Sequence, residues 1–403
     1  MATNPGCIVV GAGLAAANVV ESLRDNGFDG SITLIGDELD RPYERPPLSK
    51  DFLQGKADRD SVFVHGQSWY TDHDITARFG DTVASIDRAA QTVTLATGDT
   101  LEYRQLVLAT GSSPRRLDVP GAELAGVHTL RRIGDSEQLR AGFTDGARVV
   151  LIGAGWIGLE LAAAARLAGC AVTVLEFAPL PLQRVLGDEL AGYFAELHRA
   201  HQVDLRLGIG VTEIVGSGGT VTGVRAGDEL FDADLVVVGV GAKPNTELAK
   251  AAGLEVDNGV LVDERLRTSD PRIWAVGDVA SATNTALGRR IRVEHWDNAI
   301  RQGKLAGSVI AGGSGSFDWQ PYFYTDQFDL GMEYVGYADA ADQVVIRGDK
   351  STGEFIAFWV NDGTVRAAMN VNIWDVNDDL RALTGRQIAA DRLADTGIPL
   401  TEL

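Results

Sequence analysis

Cysteine is nearly absent from this chain. Its 403 residues include two, Cys7 and Cys170, and neither has a CxxC partner or a histidine-rich neighbourhood. That shortage excludes a disulfide framework, a thiolate zinc site and a cysteine-ligated iron–sulfur cluster, each of which needs several closely placed sulfurs. Both cysteines lie in apolar runs beside predicted strands, the usual setting of buried structural thiols. Basic residues are also in short supply: 36 Lys and Arg stand against 56 Asp and Glu, for a formal net charge of -20. Such a balance excludes nucleic acid and anionic membrane as general partners, because the long-range field repels them. The longest apolar runs, "LVVVGVGA" and "ARVVLIGAG", fall far below the roughly 20 residues of a membrane-spanning helix. The opening "MATNPGCIVVGAG" enters a strand with no charged leader. A soluble, cytoplasmic protein with two or three cores is the expectation.

Glycine is what the chain has in excess, with 47 residues, and its placement carries chemistry. In "CIVVGAGLAAANVVESLRDNGFDGSITLIGDE" an apolar strand meets Gly11-x-Gly13-x-x-Ala16. A helix to about Leu23 follows, then a strand over Ser31 to Ile35 that closes on Asp37 and Glu38. Gly11 permits the tight turn, Gly13 lets a pyrophosphate approach the backbone, and the small Ala16 lets helix pack on strand. The terminal acids are placed to bind ribose hydroxyls. A second copy, "ARVVLIGAGWIGLELAAAARLAGCAVTVLE", repeats the device with Gly153-x-Gly155-x-x-Gly158 and a strand over Ala171 to Leu175 that closes on Glu176. One carboxylate there accepts from a free 2′-hydroxyl and repels a 2′-phosphate, so this site is expected to prefer NADH to NADPH. Two dinucleotide sites in one chain point to a bound flavin in one and a visiting nicotinamide in the other. "LVLATGSSPR" ends a strand at a plausible crossing between domains, and "RIWAVGDVA" ends another at Asp278, placed to accept a flavin ribitol hydroxyl or to cap a helix.

In "ERPPLSK" two prolines fix two backbone φ angles just ahead of Lys50. The chain is stiffened where a lysine must be held still.

The composite of "GDELDRPYERPPLSK", "LATGSSPR", "GAGWIGLE", "VGDVA", "RVEHWDNAIRQGK" and "PYFYTDQFD" resembles the FAD-dependent NADH:ferredoxin reductases of bacterial oxygenase systems over nearly the whole chain. The apoptosis-inducing-factor proteins are a more distant relative of the same fold. The resemblance implies an α/β fold with two Rossmann-like domains of the glutathione-reductase type and an α+β C-terminal domain. It places the FAD domain at 1–112 and 247–320, the NAD domain at 113–246 and the last domain at 321–403. "YVGYADAADQVVIRG" and "EFIAFWVNDGTVRAAMNV" read independently as antiparallel strands with turns at "GDKSTG" and "NDG".

The resemblance also implies roles. Lys50 would lie near the flavin N5 and pair with Glu160, a fixed ammonium that stabilises the charge arriving with hydride. Gly11, Gly13, Ala15 and Ala16 would meet the FAD pyrophosphate, and Asp37 and Glu38 its adenosine ribose. Arg45, Arg115 and Arg131 match basic FAD contacts, Val83 a backbone contact at the adenine end, and Asp278 the ribitol. Glu294, His295 and Trp296 begin a helix whose positive end would face the flavin pyrimidine. For NAD, Gly153, Gly155, Ile157 and Gly158 would cradle the pyrophosphate. Glu160 would approach the nicotinamide and Glu176 the ribose, with Arg184 beside the adenosine and Gly241 lining the pocket. Tyr324 stands where many relatives carry a tryptophan that stacks at the nicotinamide and flavin face; tyrosine keeps an aromatic face with less area and an added hydroxyl.

The cycle implied is hydride from NADH to FAD, then single electrons to a small [2Fe-2S] ferredoxin that serves a cytochrome P-450 monooxygenase or a Rieske dioxygenase. A monomer or weak dimer is expected. Docking of an acidic ferredoxin on this acidic chain would depend on a short-range patch, for which Arg289, Arg290, Arg292, Arg301 and Lys304 are the candidates; they read equally as a solvated face. A thiol-based disulfide reductase is disfavoured, because no cysteine stands on the first long helix or between the second strand and residue 170. A redox-sensing role of the apoptosis-inducing-factor type is the alternative.

Overall fold

The computed structural model describes residues 6–403. They cluster into two compact units. The first runs through Glu44 and adds Arg59–Ser113 and Lys243–Pro321; the second comprises Arg45–Asp58, Pro114–Ala242 and Tyr322–Leu403. The lysine loop thus clusters with the second unit although its sequence continues the first.

The first unit is built on a five-stranded parallel sheet in the order Ile273–Ala275, Gln105–Leu108, Cys7–Val10, Ile32–Gly36, Ile75–Phe79. Its central strand, "CIVV", is buried throughout, as a parallel strand covered on both faces requires. The helix Leu14–Asp25 lies against the helix Trp296–Ile310, and Gly303 and Gly307 make that approach possible. A Cβ on Gly303 would stand 2.5 Å from the Ala15 carbonyl oxygen, and one on Gly307 2.6 Å from the Ser22 Cβ. The helix outlasts the apolar stripe that ends near Leu23, because Arg24 donates to the Phe28 and Gly30 carbonyls and ties down the following turn. The next strand runs one residue later than its apolar pattern suggests. Gly36 pairs with Phe79 and is packed so closely that its Cβ would meet the Ala12 Cβ at 2.3 Å.

The second unit repeats the parallel design in the order Asp204–Leu207, Ala171–Glu176, Arg148–Ile152, Leu235–Val238, Val127–His128. Residues from Tyr322 add a five-stranded antiparallel sheet, ordered Tyr322–Gln327, Leu330–Gly336, Thr364–Val371, Glu354–Asn361, Gln343–Asp349, with short helices Asn377–Leu383 and Ala390–Ala394. The architecture is α/β with an α+β C-terminal portion, as the sequence implied. One apolar core joins the two parts of this unit, with Leu159, Leu186 and Phe194 packed with Phe355, Trp359 and Met369. The Trp359 indole N–H donates to the Leu186 carbonyl at 3.3 Å.

Candidate active site

In the first unit the glycine turn does what its composition demands. Gly11 has φ +103, and a Cβ there would lie 2.2 Å from the Ala109 carbonyl oxygen. Gly13, by contrast, has φ -89, and no described atom lies within 4 Å of where its Cβ would stand. Gly13 caps the helix Leu14–Asp25 with no side-chain hydrogen bond and no acid in the first turn, leaving backbone N–H groups and the positive end of the dipole for an anion. Ala16 is fully buried and Ala15 nearly so. Asp37 is exposed and Glu38 half-buried past the second strand, where Glu38 accepts from the Tyr43 hydroxyl at 2.7 Å.

Asp278 sits in a single 3-10 turn, Gly277–Val279, where it accepts from the Ser112 hydroxyl at 2.9 Å. His295 begins the helix Trp296–Ile310, and burial pushes its imidazole down to about 4, with Asp278 partly opposing the shift. Glu294 pairs with Arg292. Val83 is buried at the start of its strand.

The second unit holds the same cradle. Gly153 has φ +104 with its absent Cβ 2.5 Å from the Gly239 carbonyl oxygen, Gly155 opens on space free of described atoms, and Gly158 packs its Cα against the turn, 2.2 Å from the Gly153 oxygen were a Cβ added. The helix Trp156–Leu167 again starts with neither a side-chain cap nor an early acid. Ile157 is 48% exposed at its mouth. Glu176 is held by two backbone donors, Ala154 N–H at 2.6 Å and Ala178 N–H at 2.7 Å. Arg184 lies in the short helix Gln183–Leu186. The Gly241 carbonyl accepts from the Arg115 N–H at 2.9 Å, and Arg131 lies half-buried before the helix Ile133–Gly142.

The lysine loop explains its prolines. Pro46 and Pro47 start a 3-10 helix, Pro46–Ser49, whose Pro47 carbonyl accepts from the Lys50 N–H at 3.0 Å. Arg45 precedes it, and its carbonyl accepts from the Leu48 N–H at 2.9 Å. Ser136 donates to the Leu48 carbonyl at 2.8 Å, and the buried Phe52 and Leu53 anchor the far side. Lys50 is thereby held with Nζ 2.7 Å from Glu160 Oε1, side chains 12% and 6% exposed. Its ammonium lies 5.2 Å from the Tyr324 ring centre. Glu160 also accepts from the Ser49 hydroxyl at 2.5 Å and the Thr325 hydroxyl at 2.6 Å. Three donors, Lys50, Ser49 and Thr325, converge on one buried carboxylate and fix its position.

A family model described as pyridine nucleotide-disulphide oxidoreductase matches residues 5–303, and one described as reductase C-terminal matches 322–403. The chain belongs to the pyridine nucleotide-disulphide oxidoreductase family. It is 42% identical to rhodocoxin reductase of Rhodococcus erythropolis, over 87% of this chain and 82% of that protein. It is 40% identical to the ferredoxin--NAD(+) reductase component of the anthranilate 1,2-dioxygenase system of Burkholderia cepacia, over 91% of this chain and 90% of that one. The crystal structure of the covalent putidaredoxin reductase–putidaredoxin complex superposes with a TM-score of 0.96 at 36% identity, covering 99% of this chain and 98% of the other.

As an oxidoreductase of the pyridine nucleotide-disulphide family, the chain works with a flavin and a pyridine nucleotide, and the two open glycine cradles fit those groups. Burial pushes the Cys7 thiol up to about 12, burial also raises that of Cys170, and both are free. No described helix is long and apolar enough to cross a membrane.

The basic residues near the last long helix divide in two. Arg290 donates to the Val262 and Ser281 carbonyls, and Arg292 is committed to Glu294 and the Asp278 carbonyl. Arg289 and Lys304 are exposed, and Arg301 is 45% exposed with its guanidinium 3.2 Å from Asp297 and stacked on Trp319. Ser49, Thr325 and the residues behind Thr325 escaped the sequence reading. The alternation of Thr325 and Gln327 along one strand face was their only signal.

Proposed function

We propose that the chain is an NADH-dependent ferredoxin reductase that holds FAD and delivers single electrons to a small [2Fe-2S] ferredoxin serving a cytochrome P-450 monooxygenase or a Rieske dioxygenase. The observation that carries this reading is the buried Lys50–Glu160 pair, a locked cation with no reactive thiol for company. Bound flavin supplies the conversion of a two-electron donor into one-electron deliveries.

The chain's own residues then bind and orient. Gly11, Gly13, Ala15 and Ala16 admit the FAD pyrophosphate to a helix N-terminus; Asp37 and Glu38 take its ribose and Asp278 its ribitol hydroxyl. Val83, Arg45, Arg115, Arg131, Glu294, His295 and Trp296 are assigned to the remainder of FAD. Gly153, Gly155, Ile157 and Gly158 admit the NADH pyrophosphate, with Arg184 and Gly241 at its flanks. Glu176, aimed by two backbone N–H groups, accepts from the 2′-hydroxyl and repels a 2′-phosphate. Lys50 offers positive charge where reduction creates negative charge.

The test is anaerobic rapid mixing of the purified protein with NADH, then with a panel of ferredoxins, following flavin absorbance. Bleaching by NADH and reoxidation by a [2Fe-2S] ferredoxin is the expected result. A protein that retains no flavin overturns the reading, and bleaching by NADPH alone overturns the role of Glu176.

A further inference from the structure

Behind Glu160 lies a line of buried polar groups that neither glycine cradle uses. Thr325, fully buried, donates its hydroxyl to Glu160 Oε1 at 2.6 Å and accepts from Gln327 Nε2 at 3.2 Å. Gln327 is 1% exposed, and its Oε1 stands 2.8 Å from Nε2 of His198, a fully buried histidine on the helix Asp188–Ala200. The other ring nitrogen of His198, Nδ1, is buried with no hydrogen-bond partner among the described residues. Thr325 and Gln327 share one face of the strand Tyr322–Gln327. The turn that follows is pinned by Phe328, at φ +59, stacked 3.9 Å from the His201 ring.

The protons along this line can run in one direction only. The Glu160 carboxylate, paired with the Lys50 ammonium, accepts and never donates, so the single Thr325 proton goes to it. The Thr325 oxygen then takes a proton from the Gln327 amide, whose carbonyl is left facing His198 and requires a donor. His198 must carry its proton on Nε2. Reversing the tautomer would turn the amide, draw the threonine proton away from Glu160 and remove one of its three donors.

We propose that His198, Gln327 and Thr325 are positioning residues that fix the direction of hydrogen bonding into the Lys50–Glu160 pair and so keep all three donors on the Glu160 carboxylate. The inference rests on the reductase reading for its kinetic consequence, though not for its geometry. Besides Lys50, Asp326 interacts electrostatically with Glu160. The Asp326 carboxyl is raised chiefly by burial, with Lys50 opposing and Glu160 and Asp51 adding to the rise. Facing His198 is His201, itself 3.6 Å from Asp329.

Two measurements on the full-length holoprotein test this. Nitrogen-15 NMR of the histidine side chains, with His198 assigned through H198Q, should find a neutral ring protonated on Nε2 from pH 5.5 to 8. A ring protonated on Nδ1 overturns the proposal whether or not the protein reduces ferredoxin. The second is the pH profile of flavin bleaching by NADH. In T325V, which keeps shape and loses the hydroxyl, the acid limb should move up by about one pH unit, as expected when a carboxylate loses a donor; T325S should restore the wild-type limb. Gln327→Glu, which offers Thr325 an acceptor, should move the limb in the same direction. Equal acid limbs in wild type, T325V and T325S overturn the proposal, even if the variants differ in thermal stability. Absence of bleaching in the wild type would instead fault the reductase reading and leave the tautomer result to decide.

Discussion

A lysine ammonium and a glutamate carboxylate 2.7 Å apart, both nearly out of water, can be removed only as a pair without leaving a bare charge behind. Lys50→Met should therefore cost about 2–4 kcal/mol in urea denaturation, toward the low end of what an orphaned buried charge costs because Ser49 and Thr325 still donate to Glu160. The same variant should slow flavin reduction by NADH roughly 100-fold, the typical loss when one preorganised stabiliser of developing charge is deleted. Lys50 was legible in the sequence because it stands behind a proline pair, whereas Glu160 and its pairing with Lys50 came only from the family resemblance. Their supporting donors came from neither. Ser49 and Glu160 are 111 positions apart, Glu160 and Thr325 165, and no local pattern announces such pairings.

At the scale of the turn and helix, glycines that look alike in sequence do different work. Gly155 opens on free space, whereas a methyl group on Gly158 would stand 2.2 Å from the Gly153 carbonyl oxygen. Gly158→Ala should lower stability by about 1–3 kcal/mol, the usual range for overpacking. Gly155→Ala should leave the denaturation midpoint nearly unchanged and raise the KM for NADH, because it blocks approach to the N–H groups rather than packing. Equal effects on folding would contradict that division. On the helix Trp296–Ile310, Arg301 and Lys304 present charge outward. Reversing both to glutamate should raise the ferredoxin KM while NADH-driven ferricyanide reduction holds its rate; equal ferredoxin KM values would remove the patch from the docking surface. Sequence placed five basic residues in that neighbourhood. It could not tell that Arg290 and Arg292 spend their donors on carbonyls and Glu294, since those partners are brought up only by the fold.

For the molecule as a whole, acid should act through two histidines, the fully buried His198 and the partly buried His295. His198 and His295 are both pushed down to about 4, each chiefly by burial. Between their ordinary value near 6.5 and about 4 the unfolded chain binds protons that the folded chain refuses, so stability is full above roughly pH 6.5 and falls as pH drops through that window. Each contributes a slope of up to about 1.4 kcal/mol per pH unit. Urea midpoints measured from pH 7.5 to 4.5 should decline accordingly, and H198Q should show about half the decline; a flat profile would mean that these rings take up protons in place. The parallel sheets were legible from runs such as "CIVV" and "VVLI", whose unbroken apolarity demands cover on both faces. Which segments share a unit was less so, for the lysine loop is recruited by Ser136 and by the core contacts of Leu53, far along the chain.

The first unit carries one more consequence in its seam. Where the chain departs after Ser113 and resumes at Lys243, Thr110 and Asn245 exchange two hydrogen bonds of 2.8 Å, and the Ser113 hydroxyl reaches the Asn245 side chain at the same distance. The exit and the return are thus stapled side by side, so whatever is spliced between them adds almost nothing to the cost of closing the gap. Insertions and deletions between the exit and the return can therefore accumulate over evolutionary time without spreading those two ends of the first unit apart.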